Sequence, residues 1–167
     1  MLRRWHIRGE MSVGKLVLKL LVTVLLAVIG WTDYKTMEIP DILNAALGIC
    51  ALISVFVSSG PSCAERLAGA VCVSVPMFLV CFVIRGAFGE GDMLLLSAMG
   101  FYLGWKSLLA GTFIGFFLGG MEAVYLLGTG KAAKGEHMAF GPALCTGLVI
   151  TVFFGETLLN WYLGFFH

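Results

Sequence analysis

Two aspartates border long apolar segments of this chain. Asp33 follows the run that ends at Trp31, and Asp92 closes the sequence GEGD, residues 89–92, just before another apolar run. Two carboxylates close together in a poorly solvated site cannot both ionise easily, so one of them keeps its proton near neutral pH. Such a pair supplies a general base and a general acid around one water, which is what peptide hydrolysis requires without a metal or a covalent nucleophile.

The surroundings of these aspartates also allow simpler interpretations. Gly89 and Gly91 let the chain turn sharply, and the helix dipole favours a carboxylate in the first turn at Asp92. Asp92 is equally explained as an N-cap at the membrane interface. For Asp33 the alternatives are interfacial solvation or a pair with a lysine. Asp41 follows Pro40 and is expected to cap the next helix.

The composition places these residues in a membrane. Of the 167 residues 59% are hydrophobic and 13% are charged, and the mean hydropathy is +0.96, beyond the range of ordinary soluble domains. Hydropathy predicts an all-α polytopic bundle of six transmembrane helices forming a single domain, residues 1–167, in the lipid bilayer. The predicted spans are residues 12–31, 42–59, 67–84, 92–106, 107–127 and 139–161.

The number of spans predicts which loops share a side of the membrane. With the N-terminus on face A, residues 32–41, 85–91 and 128–138 all lie on face B. Asp33 and Asp92 are separated by two complete spans, so they return to one face at similar depth and can meet. Face B holds six of the ten acidic residues: Asp33, Glu38, Asp41, Glu90, Asp92 and Glu136.

Other features of the sequence exclude some functions. A net charge of +1 offers no basic surface for nucleic acid. The five cysteines show no CxxC spacing, so we predict no zinc site, no disulfide framework and no cofactor. Gly111, Gly115 and Gly119 lie four residues apart, which predicts a face for close helix packing. No feature specifies an oligomeric state.

Three segments in order, DYKTMEIPD, GEGD and AFGPALCTG, resemble the signatures of type IV prepilin peptidases, membrane aspartic proteases that include the preflagellin peptidases. The resemblance covers residues 33–147. It implies that Asp33 and Asp92 are the catalytic residues. It also implies that the neighbouring motif residues support the site or bind substrate: Lys35, Glu38, Pro40, Asp41, Gly89, Glu90, Gly91, Phe140, Gly141 and Pro142.

The resemblance further implies the substrate and the orientation. The expected reaction removes a short basic leader ending in glycine from a prepilin-like protein at the cytoplasmic face of the cell membrane. The larger bacterial members carry paired CxxC motifs and also methylate the pilin, so this chain is expected to cleave without methylating. The positive-inside rule instead favours face A as the cytoplasmic side, because face A holds more basic residues: Arg3, Arg4, Arg8, Lys15, Arg66 and Lys106. If translation starts at Met11, that bias nearly vanishes.

Three alternative functions are compatible with this sequence. A presenilin-type intramembrane protease also has a GxGD aspartate, but its partner aspartate lies within a spanning helix. A small transporter or proton relay would use the paired acids to move protons. A structural pilus-assembly subunit would need neither carboxylate. Glu122 inside the fifth span is a further candidate for the site, and His137 lacks a companion ligand.

Overall fold

The computed structural model describes residues 13–57, 60–84, 89–130 and 140–164, with side chains described up to Asn160. These residues form helices and turns, without a strand. The helices are α1 (Val13–Thr36), α2 (Asp41–Val57), α3 (Cys63–Cys72), α4 (Ser74–Val83), α5 (Glu90–Leu103), α6 (Trp105–Gly128) and α7 (Gly141–Gly164). The all-α class is therefore confirmed, and α3 with α4 occupies the place of the third predicted span.

Four of these segments are long and apolar enough to cross a membrane: α1, α3 with α4, α6 and residues 141–160 of α7. Helix α2 is a shorter apolar helix of 17 residues, and α5 has 14. Helix α5 packs against α2, α3, α4, α6 and α7, so it lies among the other helices rather than at the edge of the bundle. The chain is a multi-pass membrane protein. Its assignment to a single domain stays a prediction.

Two predicted boundaries were wrong for the same reason. Helix α1 continues to Thr36 instead of ending at Trp31, and the third segment begins at Cys63 instead of residue 67. Polar residues extend both helices. The hydroxyls of Thr32 and Thr36 bond to carbonyl oxygens one turn earlier, and Ser62 forms a capping box with Glu65. Such polar residues lower the hydropathy of a segment, although their side chains form hydrogen bonds to the backbone of the helix.

One face of α1 is buried from Leu18 to Asp33. Leu18, Val22, Leu26 and Ile29 follow one another at intervals of three or four residues, and Asp33 continues the same row. The helix ends after Thr36, where Met37 takes a left-handed conformation with φ 55° and its N–H bonds to the Asp33 carbonyl. Asp33 thus faces the interior from the last turn of a helix.

The predicted packing face of α6 is confirmed, because Gly111, Gly115 and Gly119 are all buried against α7. A Cβ atom on Gly115 would lie 2.9 Å from the Leu144 Cα, closer than real contacts allow. The chain turns from α5 into α6 at Gly104, whose φ of +78° is a conformation that other residues rarely adopt. This packing brings the start of α7 beside the end of α1.

Candidate active site

Asp33 is fixed by the first residue of α7. Its side chain is 6% exposed, and its Oδ2 accepts a hydrogen bond of 2.9 Å from the backbone N–H of Gly141. That N–H belongs to the first turn of α7, where backbone donors have no partner within the helix and attract negative charge. The alternative of an ion pair between Asp33 and a lysine is not seen among the described residues, where the Lys35 Nζ lies 4.9 Å from the centroid of the Trp31 ring.

Gly141 leaves no room for a side chain at this contact. A Cβ atom there would lie 2.5 Å from the Asp33 Oδ2 and 2.7 Å from its Cγ. Any larger residue would therefore push the carboxylate away or move the start of α7. The contact with Asp33 thus explains why the third motif, AFGPALCTG, has a glycine at position 141, which the resemblance alone did not explain.

Asp92 is the third residue of α5 and begins its buried face, which continues through Leu95, Leu96 and Met99. The N-cap is Gly89, so the alternative that Asp92 itself caps the helix is wrong. The side chain is 9% exposed, and its buried Oδ1 has no hydrogen-bond partner among the described residues. Asp33 lies close enough to Asp92 that the two carboxylates would repel one another if both were ionised.

The start of α5 is held from two sides, by Ile39 of the first motif and by Asn44 of α2. A Cβ atom on Gly91 would lie 2.7 Å from the Cβ of Ile39, so the glycine allows these two stretches of chain to touch. The side-chain amide of Asn44 in α2 donates a hydrogen bond of 3.0 Å to the Gly91 carbonyl. The first and second motifs are therefore in direct contact, and the third reaches them through Gly141.

The other residues predicted for the site surround it at different depths. Phe140 and Pro142 are half-buried, and the Phe140 ring centroid lies 5.1 Å from that of Phe116. Asp41 is the first residue of α2 rather than the residue before it, so its predicted role as the N-cap is wrong. The exposed members of the set are Lys35, Glu38, Pro40, Asp41, Gly89 and Glu90.

Glu122, a further candidate, does not join the site. Glu122 is exposed on α6, so it does not face the buried interior of the bundle. Glu136 and His137 lie outside the described residues.

Sequence reasoning missed two residues beside the aspartates. Asn44 is 6% exposed, and its signal was an amide within an apolar run, one turn after Asp41. Cys145 was interpreted as a small hydrophobic residue, but its thiol lies within electrostatic range of both Asp33 and Asp92. It packs against Gly30, where a Cβ atom would lie 3.5 Å from the Cys145 Cβ. Only the packing of α7 on α1 reveals this position.

A cavity of about 430 Å³ lies at the opposite end of the bundle, where α1, α3, α6 and α7 converge. Its lining includes Lys19, Arg66, Lys106 and Glu156, and it contains neither aspartate. This cavity is therefore separate from the candidate active site. Within the described residues, no group of three or more histidine, cysteine, aspartate or glutamate side chains could hold a metal ion.

The fold and this site define a multi-pass membrane protein with two buried aspartates at one end of its bundle. Residues 20–124 match the model of the type IV leader peptidase family. This match covers more than half of the 167 residues, and the chain belongs to that family.

Curated relatives agree with this assignment. The chain is 29% identical over 140 residues to a prepilin leader peptidase/N-methyltransferase of Bacillus subtilis (strain 168), covering 83% of this chain and 56% of the relative. The protein of the same name from Legionella pneumophila is 29% identical over 169 aligned positions, with 96% and 57% covered. The one from Burkholderia pseudomallei (strain 1026b) is 32% identical over 134 residues, with 74% and 41% covered. The chain thus spans about half the length of these relatives. No solved structure gives a significant match.

Proposed function

We propose that this chain is a membrane aspartic endopeptidase that removes the leader peptide from type IV prepilin-like proteins, with Asp33 and Asp92 as its catalytic pair. The observation that carries the proposal is that Gly141 fixes the Asp33 carboxylate, while nearby Asp92 has a buried oxygen without a hydrogen-bond partner among the described residues. The names of the relatives support the substrate class.

The chemistry follows from two carboxylates that share one proton. The ionised member accepts a proton from a water molecule as the water oxygen attacks the carbonyl carbon of the scissile peptide bond. The protonated member then donates its proton to the leaving nitrogen, and the C–N bond breaks. Because Gly141 engages only Oδ2 of Asp33, the hydrogen bond orients this carboxylate without occupying both of its oxygens.

The exposed acids near the pair suit a basic leader. Glu38, Asp41 and Glu90 are exposed on the segments that carry the two aspartates. They would attract the positive charges of a leader and bring its end towards the pair. We propose only the peptidase part of the relatives' name, since the chain spans about half of their length and its cysteines form no CxxC pair.

The direct test is incubation of the purified chain in detergent with prepilins encoded near its gene. Cleavage is read as a gel shift and by mass spectrometry of the new N-terminus, with Asp33→Asn as the inactive control. Cleavage by the wild type alone supports the proposal. Equal cleavage by wild type and variant would show that a contaminating protease is responsible.

The proton relay is the alternative that the buried pair itself favours, because unpaired acids within membrane proteins often carry protons. Liposomes that hold the wild type and a pH-sensitive dye distinguish the two functions. Proton flux that is lost in Asp92→Asn, together with an absence of cleavage, would favour the relay.

We further propose that the aspartate end of the bundle faces the cytoplasm in the cell membrane. Supporting this orientation, Arg66 on the other face is buried and Lys106 pairs with Glu65, so neither is a free surface charge. The test compares thiol labelling of Cys63, which is exposed at the opposite end, with that of a cysteine introduced at Glu38. Labelling of Cys63 from outside the cell and of residue 38 from inside is the expected result. The reverse pattern would invert the topology.

A further inference from the structure

Asn44 connects α2 to the start of α5. It lies one turn into α2, is 6% exposed, and its Nδ2 donates a hydrogen bond of 3.0 Å to the carbonyl oxygen of Gly91. Because a backbone carbonyl can only accept, the amide nitrogen must face Gly91 and the amide oxygen must point elsewhere. This orientation is therefore fixed by chemistry.

Gly91 immediately precedes Asp92, so whatever holds Gly91 also sets the position of the Asp92 backbone. Ile39 packs against one side of Gly91, where a Cβ atom would lie 2.7 Å from the Ile39 Cβ. Asn44 bonds to its carbonyl from α2. The first turn of α5 is thus held both by packing and by a directional bond.

The amide oxygen of Asn44 shares a feature with the carboxylate of Asp92. It is buried and has no hydrogen-bond partner among the described residues, and the same holds for Oδ1 of Asp92. An unsatisfied buried oxygen is unfavourable, and a buried polar side chain that serves only stability usually has partners for all of its polar atoms. Ser54 on the same helix does so, since its hydroxyl donates to Ala51 and accepts from Arg66.

We infer that Asn44 is a positioning residue that, through its bond to Gly91, holds Asp92 in the place where it works with Asp33. This inference rests on the proposed peptidase function. Nothing in the three sequence motifs assigns a role to this position. Asn44 acts on Asp92 through the backbone and does not itself exchange protons.

The experiment measures kcat, KM and the melting temperature for wild type and three variants on one prepilin. Asn44→Leu keeps the approximate size but removes the donor, and Asn44→Asp keeps the shape but turns an acceptor towards the Gly91 carbonyl. Ser54→Ala is the matched control, because it removes a buried hydrogen bond from the other end of the same helix.

Displacement of a catalytic group by about 1 Å costs about 100-fold in rate, so both Asn44 variants should lower kcat by about that factor. Their KM should stay within about twofold of the wild type, because the exposed leader-binding surface is unchanged. Ser54→Ala should lower the melting temperature and leave kcat of the folded protein unchanged.

Three outcomes would overturn the inference. If either Asn44 variant folds and retains the wild-type kcat, Asn44 does not position Asp92. If Ser54→Ala loses as much kcat as the Asn44 variants, the effect is one of general stability. If the wild type itself cleaves no prepilin, the proposed function fails and the role of Asn44 fails with it. The wild-type lane therefore separates this outcome from a failure of the Asn44 inference alone, in which the wild type remains active.

Discussion

The two ends of the bundle each bury a charged residue, but they treat it differently. At one end Arg66, 2% exposed, donates hydrogen bonds to the Ser54 hydroxyl and to the carbonyl oxygens of Pro61 and Phe101. At the other end Asp92 is also buried, yet its Oδ1 has no hydrogen-bond partner among the described residues. Asp33 also lies close enough to repel Asp92 if both carboxylates were ionised.

This difference distinguishes a buried charge that stabilises the fold from one that is suited to catalysis. A buried charge with several hydrogen bonds fastens the elements around it, and Arg66 joins α2, the chain before α3 and α5. A buried carboxylate with an unused oxygen beside a second carboxylate is costly for folding, and such cost is concentrated at functional sites. The comparison predicts that changes at the Arg66 end alter stability, whereas changes at the aspartate end alter activity.

The largest expected effect comes from the aspartates. Asp33→Asn or Asp92→Asn removes the ability to share and pass a proton, so each should lower cleavage by several orders of magnitude. The double variant should be about as inactive as either single one, because half of the pair already activates water poorly. Gel-shift cleavage at equal amounts of inserted protein measures this. Asp41→Asn, on an exposed residue, is the comparison variant and should lower cleavage far less than either change in the pair.

Two results would contradict the assignment of Asp33 and Asp92 as the pair. Full activity in Asp33→Asn would exclude this residue from the pair. Inactivity confined to Asp41→Asn would show that the wrong aspartate of the first motif has been chosen.

The next effect is expected at Gly141. In Gly141→Ala the new methyl group would press on the Asp33 carboxylate, and a shift of that group should cost about 100-fold in kcat. The melting temperature should change little, since a side-chain end can move more easily than a helix. Gly120→Ala is the control, because a Cβ atom there meets nothing within 4 Å. Wild-type kcat in Gly141→Ala would mean that this contact does not position Asp33.

Arg66 should show the opposite behaviour. Arg66→Met leaves the Ser54, Pro61 and Phe101 oxygens without their donor and should lower the free energy of unfolding by about 3 kcal/mol. The activity of each folded molecule should stay within about twofold of the wild type. Thermal unfolding in detergent and cleavage per folded molecule measure the two quantities. A selective loss of kcat would break the proposed contrast between the two ends.

The smallest effect is expected at Lys106, whose Nζ lies 3.3 Å from a Glu65 carboxylate oxygen. Both side chains are substantially exposed, and exposed ion pairs contribute little because water and salt screen them. Lys106→Gln should therefore leave the melting temperature and cleavage unchanged at physiological salt. A clear fall in melting temperature would show that the Arg66 end depends on this surface pair as well.

Much of the fold was predictable because membrane spans depend on local composition. A run of apolar side chains identifies a helix in lipid whatever its neighbours are, and the four-residue spacing of Gly111, Gly115 and Gly119 marks a packing face. Boundaries were less predictable. At Thr36 and Ser62 polar side chains bond to the backbone of the helix, and hydropathy treats them as loop residues.

For the site, the sequence by itself determined which carboxylates border the spans and, through the number of spans, that Asp33 and Asp92 return to one face. The row from Leu18 to Asp33 also encodes the inward direction of that side chain, since helical spacing is a local property. Only the tertiary structure decided that Gly141 would bond to Asp33, that Asn44 would reach Gly91, and that Cys145 would lie beside both aspartates. These contacts join residues far apart in the chain, and they depend on how closely α7 and α2 approach their neighbours, which no local pattern specifies.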